Sequence, residues 1–325
     1  MKRIEMIKGA KKLVQECANV KEGENVLILT DTRMPLRMAE VLSIACKERG
    51  AEPMILIMSP PSEVGRGWEP PPPVLEAVVK SDVIFFVLSR SAFSGSSRSK
   101  AKKTGARCVN FSELTEEDMF RGAMEVNFLE MKEFGDRLAA KIRNVQEARL
   151  TTPAGTDLYL DFRGRLEKVL IINGICHEPG VTASINLEVA ISPKNAQGVI
   201  VCDACVTLFR PGLVNEWVRG TIKDGKLTEI SGGAEAKKLT RMLAGFNDPN
   251  VYNVVEFGIG FNPKAIMTGW PRQDRGVYGS CHIGFGSNTN WGGDIKAAAH
   301  FDFILYAPKI EIDGITLLEN YKFNV

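Results

Sequence analysis

The sequence predicts an α/β protein in two parts: a doubly wound parallel-sheet domain over residues 1–145, then a β-rich (α+β) domain over 146–325. Three observations carry that expectation. The first half alternates continuous apolar runs with helix-period segments, the pattern of parallel strands covered on both faces. The second half changes to short strands of alternating polarity separated by turn residues. A chain of 325 residues also exceeds the ordinary size of one domain.

In chain order, Ile4, Ile7, Ala10, Leu13, Val14 and Cys17 follow a helical period. NVLILTD (25–31) reads as a buried strand, and PLRMAEVLSIACKERG (35–50) as a helix closed by Gly50. The strand EPMILIMS (52–59) leads into a loop ending in prolines 70–73. The helix VLEAVVKS (74–81), the strand VIFFVLS (83–89) and the short strand ARCVNF (106–111) complete the first set. The first strand-helix turn, TDTRMPLR, has no glycine, so a dinucleotide fingerprint is absent. Phe93-Ser94-Gly95-Ser96-Ser97 could offer N–H groups to a phosphate, but such clusters are mostly plain loops.

The helix NFLEMKEFGDRLAAKIRN (127–144) links the halves. Strands follow in ARLTTPAG, TDLYLDFRG, KVLIING, INLEVAIS, GVIVCDACV and GTIKDGKLTEI, the last with a hairpin signal at Asp224-Gly225. One helix, AEAKKLTRMLAGF (234–246), interrupts them.

Composition excludes some functions. Lys plus Arg is 41 and Asp plus Glu is 39, too balanced for a nucleic-acid or acidic-membrane binder. The best apolar run, Val83 to Leu88, is far shorter than a membrane span. The start, MKRIEMIKGAKK, lacks the apolar centre of a signal peptide. Seven cysteines, odd in number and scattered through apolar segments, suit a reducing, cytoplasmic setting. Cys202 and Cys205, in a strand-like run, should point to opposite faces and form no metal site.

Two of the three histidines lie in residues 281–303. If AHFDFILY is a strand, His300 and Asp302 share one face while Phe301 and Phe303 pack on the other. Such a pair suits a metal, and equally a hydrogen-bonded structural couple. His282, in GSCHIGFG, reads alone as a partly buried histidine. Glu188 in INLEVAIS and Glu256 in NVVEFGIGF are acids within apolar strands, where burial demands a partner or a metal. His177, in GICHEPG, reads as a turn histidine or a substrate contact.

The blocks GTDLYL, NLEVAISP, VVEFGIGFNPKA, HIGFGSN with Gly292-Gly293, HFD and a terminal Asp-Gly turn resemble the aminopeptidase T family of metallopeptidases over residues 150–325. That resemblance implies a two-metal site of Zn, Co or Mn held by Glu188, Glu256, His282, His300 and Asp302, with one carboxylate bridging. It implies hydrolysis of amide bonds by a metal-bound hydroxide, with Glu256 among the catalytic residues, and a homodimer acting on a peptide or small molecule. The family tyrosine seven residues after the first histidine is Thr289 here, with Trp291 nearby. The chain is also similar to the 2,5-dihydroxypyridine dioxygenases of the same superfamily, above all in GGAEAKKLTRMLAGFNDPNVYNV (232–254). That second resemblance implies Fe(II) and ring cleavage of a hydroxylated pyridine, with a histidine at the position of Glu256. A facial triad of two histidines and a carboxylate would then come from His282, His300 and Asp302. The complement of ligands favours the metallo-aminopeptidase; the ring-cleaving dioxygenase is the alternative.

Overall fold

The computed structural model describes residues 2–60, 70–90, 96–165, 169–289 and 293–325. Phe93, Ser94, Gly95, Trp291 and Gly292 lie outside them, and with them the core of the suggested phosphate loop. The chain divides into two compact units, 1–132 with 172–186, and 133–171 with 187–325. The division is therefore not the contiguous one expected from sequence, because a late strand returns to the first sheet.

The first unit opens with α1 (Lys2–Lys11), which runs on as a π-helical turn over Lys12–Cys17. Then follow β1 (Asn25–Asp31), α2 (Leu36–Glu48), β2 (Glu52–Met58), α3 (Pro72–Val79), β3 (Val83–Val87), α4 (Ser96–Thr104) and β4 (Arg107–Asn110). Pro72 sits in the first turn of α3, where its missing N–H costs nothing, so the proline run belongs to a helix start rather than to a loop. Helix α5 (Phe128–Ile142) leads to β5 (Glu147–Thr151), β6 (Asp157–Asp161), β7 (Leu170–Ile172) and β8 (Thr182–Ser184).

Strand order in the first sheet is β2-β1-β3-β4-β8, all parallel. Strand β3 is buried throughout, as its unbroken apolar run requires. Strand β2 lies at the edge, and Met54 and Ile57 are half exposed there despite an equally apolar sequence. At the end of β1 the buried Asp31 accepts from the backbone N–H of Arg33 at 2.9 Å and of Ser89 at 2.7 Å. A carboxylate thus organises the turn that carries no glycine.

The second unit continues with β9 (Glu188–Ile191), β10 (Asn195–Cys202), β11 (Cys205–Val206), β12 (Val218–Lys223) and β13 (Lys226–Gly232). Beyond α6 (Ala234–Gly245) come β14 (Val254–Gly260), the short α7 (Pro271–Asp274), β15 (Cys281–Gly286) and β16 (His300–Leu305). Strands β17 (Lys309–Ile312), β18 (Ile315–Glu319) and β19 (Lys322–Phe323) close the chain. Asp224 and Gly225 both take positive φ, 50° and 71°, the left-handed pair that a tight hairpin turn needs. The strand-like run through the two cysteines breaks after Cys202, whose thiol approaches the Cys205 carbonyl at 3.2 Å.

Eight strands form an antiparallel sheet in the order β13-β12-β10-β6-β5-β17-β18-β19. Another sheet, β11-β16-β15-β14-β9-β7, carries every candidate ligand. On one of its faces Phe285 stacks on Phe301 at 5.1 Å, and Phe303 meets Phe285 edge-on at 5.2 Å. All three rings are fully buried, so alternation along each strand sends the intervening residues to the opposite face. Among the described residues no helix is long and apolar enough to cross a membrane. Removing a ring from this backing leaves a cavity: Phe301→Ala should cost about 3–5 kcal/mol of unfolding free energy in urea titration. A loss below 1 kcal/mol would show that the sheet does not rest on these rings.

Candidate metal centre

Strand pairing decides which side chains meet. In β15 and β16, Gly286 lies opposite His300 and Gly284 opposite Asp302. In β14 and β15, Gly284 also lies opposite Glu256, and Gly258 opposite His282. In β9 and β14, Gly260 lies opposite Glu188. Every one of the five candidate ligands therefore faces a glycine across the ladder. The reason is space. A Cβ at Gly284 would stand 2.7 Å from Glu256 Cβ and 3.0 Å from Asp302 Oδ1, and one at Gly258 would stand 2.1 Å from the His282 ring. The glycine-rich texture of β14 and β15 is what lets bulky polar groups share one face.

The five residues are brought together unequally. Glu256, His300 and Asp302 form a group whose ligand atoms all lie within 4.8 Å of one another. His300 Nε2 is 3.0 Å from Glu256 Oε2 and 3.1 Å from Asp302 Oδ1. His282 stands one step along the sheet, its Nε2 3.5 Å from Glu256 Oε1 and 3.7 Å from Glu188 Oε2. The converging trio thus contains Glu256, and not His282 as the facial-triad reading of the sequence required. Register is the cause: Glu256 and Asp302 reach towards each other over the same empty Gly284, whereas His282 points over Gly258 towards Glu188.

Hydrogen bonding settles the histidine tautomer. His300 Nδ1 lies 3.0 Å from the Ser287 carbonyl, an acceptor only, so Nδ1 carries the proton. Nε2 then presents its lone pair to two carboxylate oxygens, which is repulsive unless a positive charge stands between them. Either a second proton on Nε2 or a divalent cation supplies it. Glu256 Oε2 and Asp302 Oδ1 are buried with no hydrogen-bond partner, as oxygens kept for a cation would be. One imidazole and two carboxylates are a borderline-to-hard donor set that fits Fe(II) or Mn(II).

A residue that the sequence reading missed completes the site. Arg275, just after α7, donates from Nε to Asp302 Oδ2 at 2.7 Å and from Nη2 to the same oxygen. Thr207 Oγ1 also donates to Oδ2, at 3.1 Å. Nothing periodic marks either residue in the sequence. Burial pushes the carboxyl of Asp302 up, but Arg275 and His300 outweigh it and hold it well below the usual carboxylate range. Burial likewise opposes ionisation of Glu256, yet His282 and His300 bring it down to about 2. Glu188 is raised, chiefly by burial. His282 is raised because Glu256 and Glu188 outweigh the effect of burial.

Two other candidates stand apart from the group. The Thr289 side chain is exposed and its hydroxyl meets Ser287 Oγ at 3.1 Å. His177 belongs to the first unit, where its Nε2 meets the Glu16 carbonyl at 2.8 Å.

A family profile described as NicX, 2,5-dihydroxypyridine 5,6-dioxygenase, matches residues 5–324. The chain belongs to this family. A 2,5-dihydroxypyridine 5,6-dioxygenase of Pseudomonas putida is 32% identical over 129 residues, an alignment spanning 37% of either protein. The solved 2,5-dihydroxypyridine dioxygenase of Pseudomonas putida superposes with a TM-score of 0.84 at 19% identity, covering 99% of this chain and 97% of that one. AmpT from Thermus thermophilus superposes with a TM-score of 0.69 at 14% identity, each chain covered in full. Both resemblances read from sequence are present, and at these identities the two solved structures speak for the fold.

Family membership overturns the leading expectation of a metallopeptidase that hydrolyses amide bonds, and the pair of Zn, Co or Mn ions loses its support with it. The error has a physical source. The solved dioxygenase and AmpT both superpose on this chain along its length, so resemblance at the level of the fold could not separate the two readings.

The glycines provide a direct test of the geometry. Gly284→Ala should push the Glu256 and Asp302 carboxylates apart and lower bound divalent metal by more than half, read by elemental mass spectrometry. Gly258→Ala, which displaces His282 alone, should leave most of the metal in place. Equal losses in both variants would contradict the assignment of the ion to Glu256, His300 and Asp302.

Proposed function

We propose that this chain is a ring-opening dioxygenase of a hydroxylated pyridine, with one Fe(II) held by Glu256, His300 and Asp302. The observation that carries the reading is the convergence of Glu256 Oε2, His300 Nε2 and Asp302 Oδ1, on a chain whose whole length matches the dioxygenase family. Bound Fe(II) would supply open positions for a hydroxyl oxygen of the substrate and for dioxygen, together with the redox capacity to oxidise the ring.

The chain's own residues do the rest. The Ser287 carbonyl holds the proton of His300 on Nδ1, so Nε2 is the nitrogen that would bind the metal. Arg275 and Thr207 occupy Oδ2 of Asp302, so Oδ1 is the oxygen it offers. His282 lies against the other oxygen of Glu256 and, with its raised affinity for a proton, is placed to hold or release one beside the reacting ring. Glu256 adds a negative charge where the resemblance implies a neutral imidazole, which strengthens the hold on a dication. The seven cysteines are all free and buried, in keeping with a reducing, cytoplasmic setting.

Protein purified under anaerobic conditions should contain about one iron per chain and consume oxygen with 2,5-dihydroxypyridine. His300→Ala, Asp302→Ala and Glu256→Gln should each remove most of the iron and the activity. His282→Gln should keep its iron and slow turnover by ~10–100-fold, the usual effect of disturbing a group beside the ligands. Iron retained at full occupancy in Glu256→Gln would place the ion elsewhere, and absence of oxygen uptake with any dihydroxypyridine would reject the reaction.

A further inference from the structure

We infer that Asn288 is a positioning residue of the metal centre: its buried amide locks the chain leaving β15, so that the Ser287 carbonyl meets His300 Nδ1, and ties that chain to the strands bearing Glu188 and Glu256. The inference rests on the metal assignment of the proposed function wherever it concerns affinity for an ion.

His300 needs such support because of where it stands. It begins β16 opposite Gly286, the last rung of the β15–β16 ladder, whereas Asp302 has rungs on both sides. Strand ends fray unless something beyond the ladder holds them. Gly286 already turns away at a φ of 100°, where an added Cβ would stand 2.1 Å from the Ala299 carbonyl. The Ser287 N–H still reaches that carbonyl at 3.1 Å, and the next residue supplies the lock.

Asn288 is 2% exposed, and its backbone and side-chain polar groups are all engaged. Its N–H donates to the Ile295 carbonyl at 3.0 Å and its Oδ1 accepts from the Ile295 N–H at 2.9 Å, so one residue forms both halves of a strand-like rung. Its own carbonyl accepts from the Gly293 N–H at 3.1 Å. Nδ2 donates to Ser192 Oγ at 3.3 Å, and that hydroxyl donates to the Val255 carbonyl at 2.7 Å. The Ile295 N–H can only donate and the Val255 carbonyl can only accept, so the amide has one orientation. Ser192 directly follows β9, which begins at Glu188, and Val255 directly precedes Glu256. One side chain thereby joins the residue beside His300 to the strands of two further candidate ligands.

Space for the amide is reserved as well. A Cβ at Gly293 would lie 2.0 Å from Asn288 Cγ and 2.2 Å from both Oδ1 and Nδ2. The return of the chain to β16 is held separately: Asn250 Nδ2 donates to the Lys296 carbonyl at 3.0 Å, and Asp248 Oδ2 accepts from the Ala298 N–H at 2.7 Å. Loss of the Asn288 side chain should therefore loosen Ser287 and leave the rest of the sheet in place.

The test begins with metal-free protein carrying isotope-labelled histidine. The His300 Nδ1 proton, identified by its absence in His300→Ala, should give a sharp, slowly exchanging resonance. Asn288→Ala should broaden or abolish it, and should weaken Co(II) binding by ~10–100-fold in competition with a chelator. Gly293→Ala leaves every hydrogen-bonding group in place but crowds the amide, and should do the same however well Asn288→Ala folds. The double variant Asn288→Ala/Gly293→Ala should be no worse than Asn288→Ala, because the added methyl group then has nothing to displace. Additive losses in the double variant would overturn the inference. So would a lower melting temperature in Asn288→Ala with the ring proton and Co(II) affinity unchanged, the mark of a residue that only packs. Wild type that binds no Co(II), or keeps it after Asp302→Ala, would refute the metal assignment, and the ring proton would still decide the role of Asn288. One ion without dioxygenase activity would refute the proposed reaction alone.

Discussion

Three carboxyl groups buried on one face of a sheet, Glu188, Glu256 and Asp302, are the constraint on which the second unit depends. Taking one charge out of water is costly, and three like charges add their mutual repulsion. The fold meets that cost with the guanidinium of Arg275, with two imidazoles and with a position for a cation. Each device requires space. The glycines at 258, 260, 284 and 286 provide it, one across the ladder from each of the five candidate ligands. Replacing any of them with a larger residue would fill volume that the ligands or the arginine-bearing segment already use.

The opposite face explains how such a site stays in register. Phe285, Phe301 and Phe303 pack ring against ring beneath the strands that carry His282, His300 and Asp302. Because side chains alternate, each aromatic neighbour fixes the strand that presents a ligand on the other side. A shift of one residue would turn the ligands in among the phenylalanines and put the rings where the ligands now converge. The apolar half of the sheet therefore secures the precision of the polar half.

The two oxygens of Asp302 show how finely the site divides its tasks. One is saturated by Arg275 and Thr207, and the other faces His300 without a hydrogen. Glu256 divides in the same way, one oxygen towards His300 and one towards His282. This chain and AmpT share the fold at 14% identity.

Much of this was legible in the sequence. Local patterns determined the strands at 25–31, 254–260 and 300–305, because burial on one or both faces imposes its period directly on the residues. The same period put His300 and Asp302 on one face, and the rarity of acids in apolar strands singled out Glu188 and Glu256. Pairing between strands was not legible, since register depends on contacts between segments far apart in the chain. Hence the sequence offered both Glu256 and His282 beside His300 and Asp302, and only the fold shows that Glu256 is the one that converges with them. Arg275 and Thr207 were invisible for the same reason: a guanidinium after a four-residue helix and a hydroxyl beyond a two-residue strand carry no local sign of the carboxylate they hold. The sequence by itself determined which residues could bear charge inside this protein. Only the tertiary structure decided which of those charges face one another, because that is set by distances across the sheet and not along the chain.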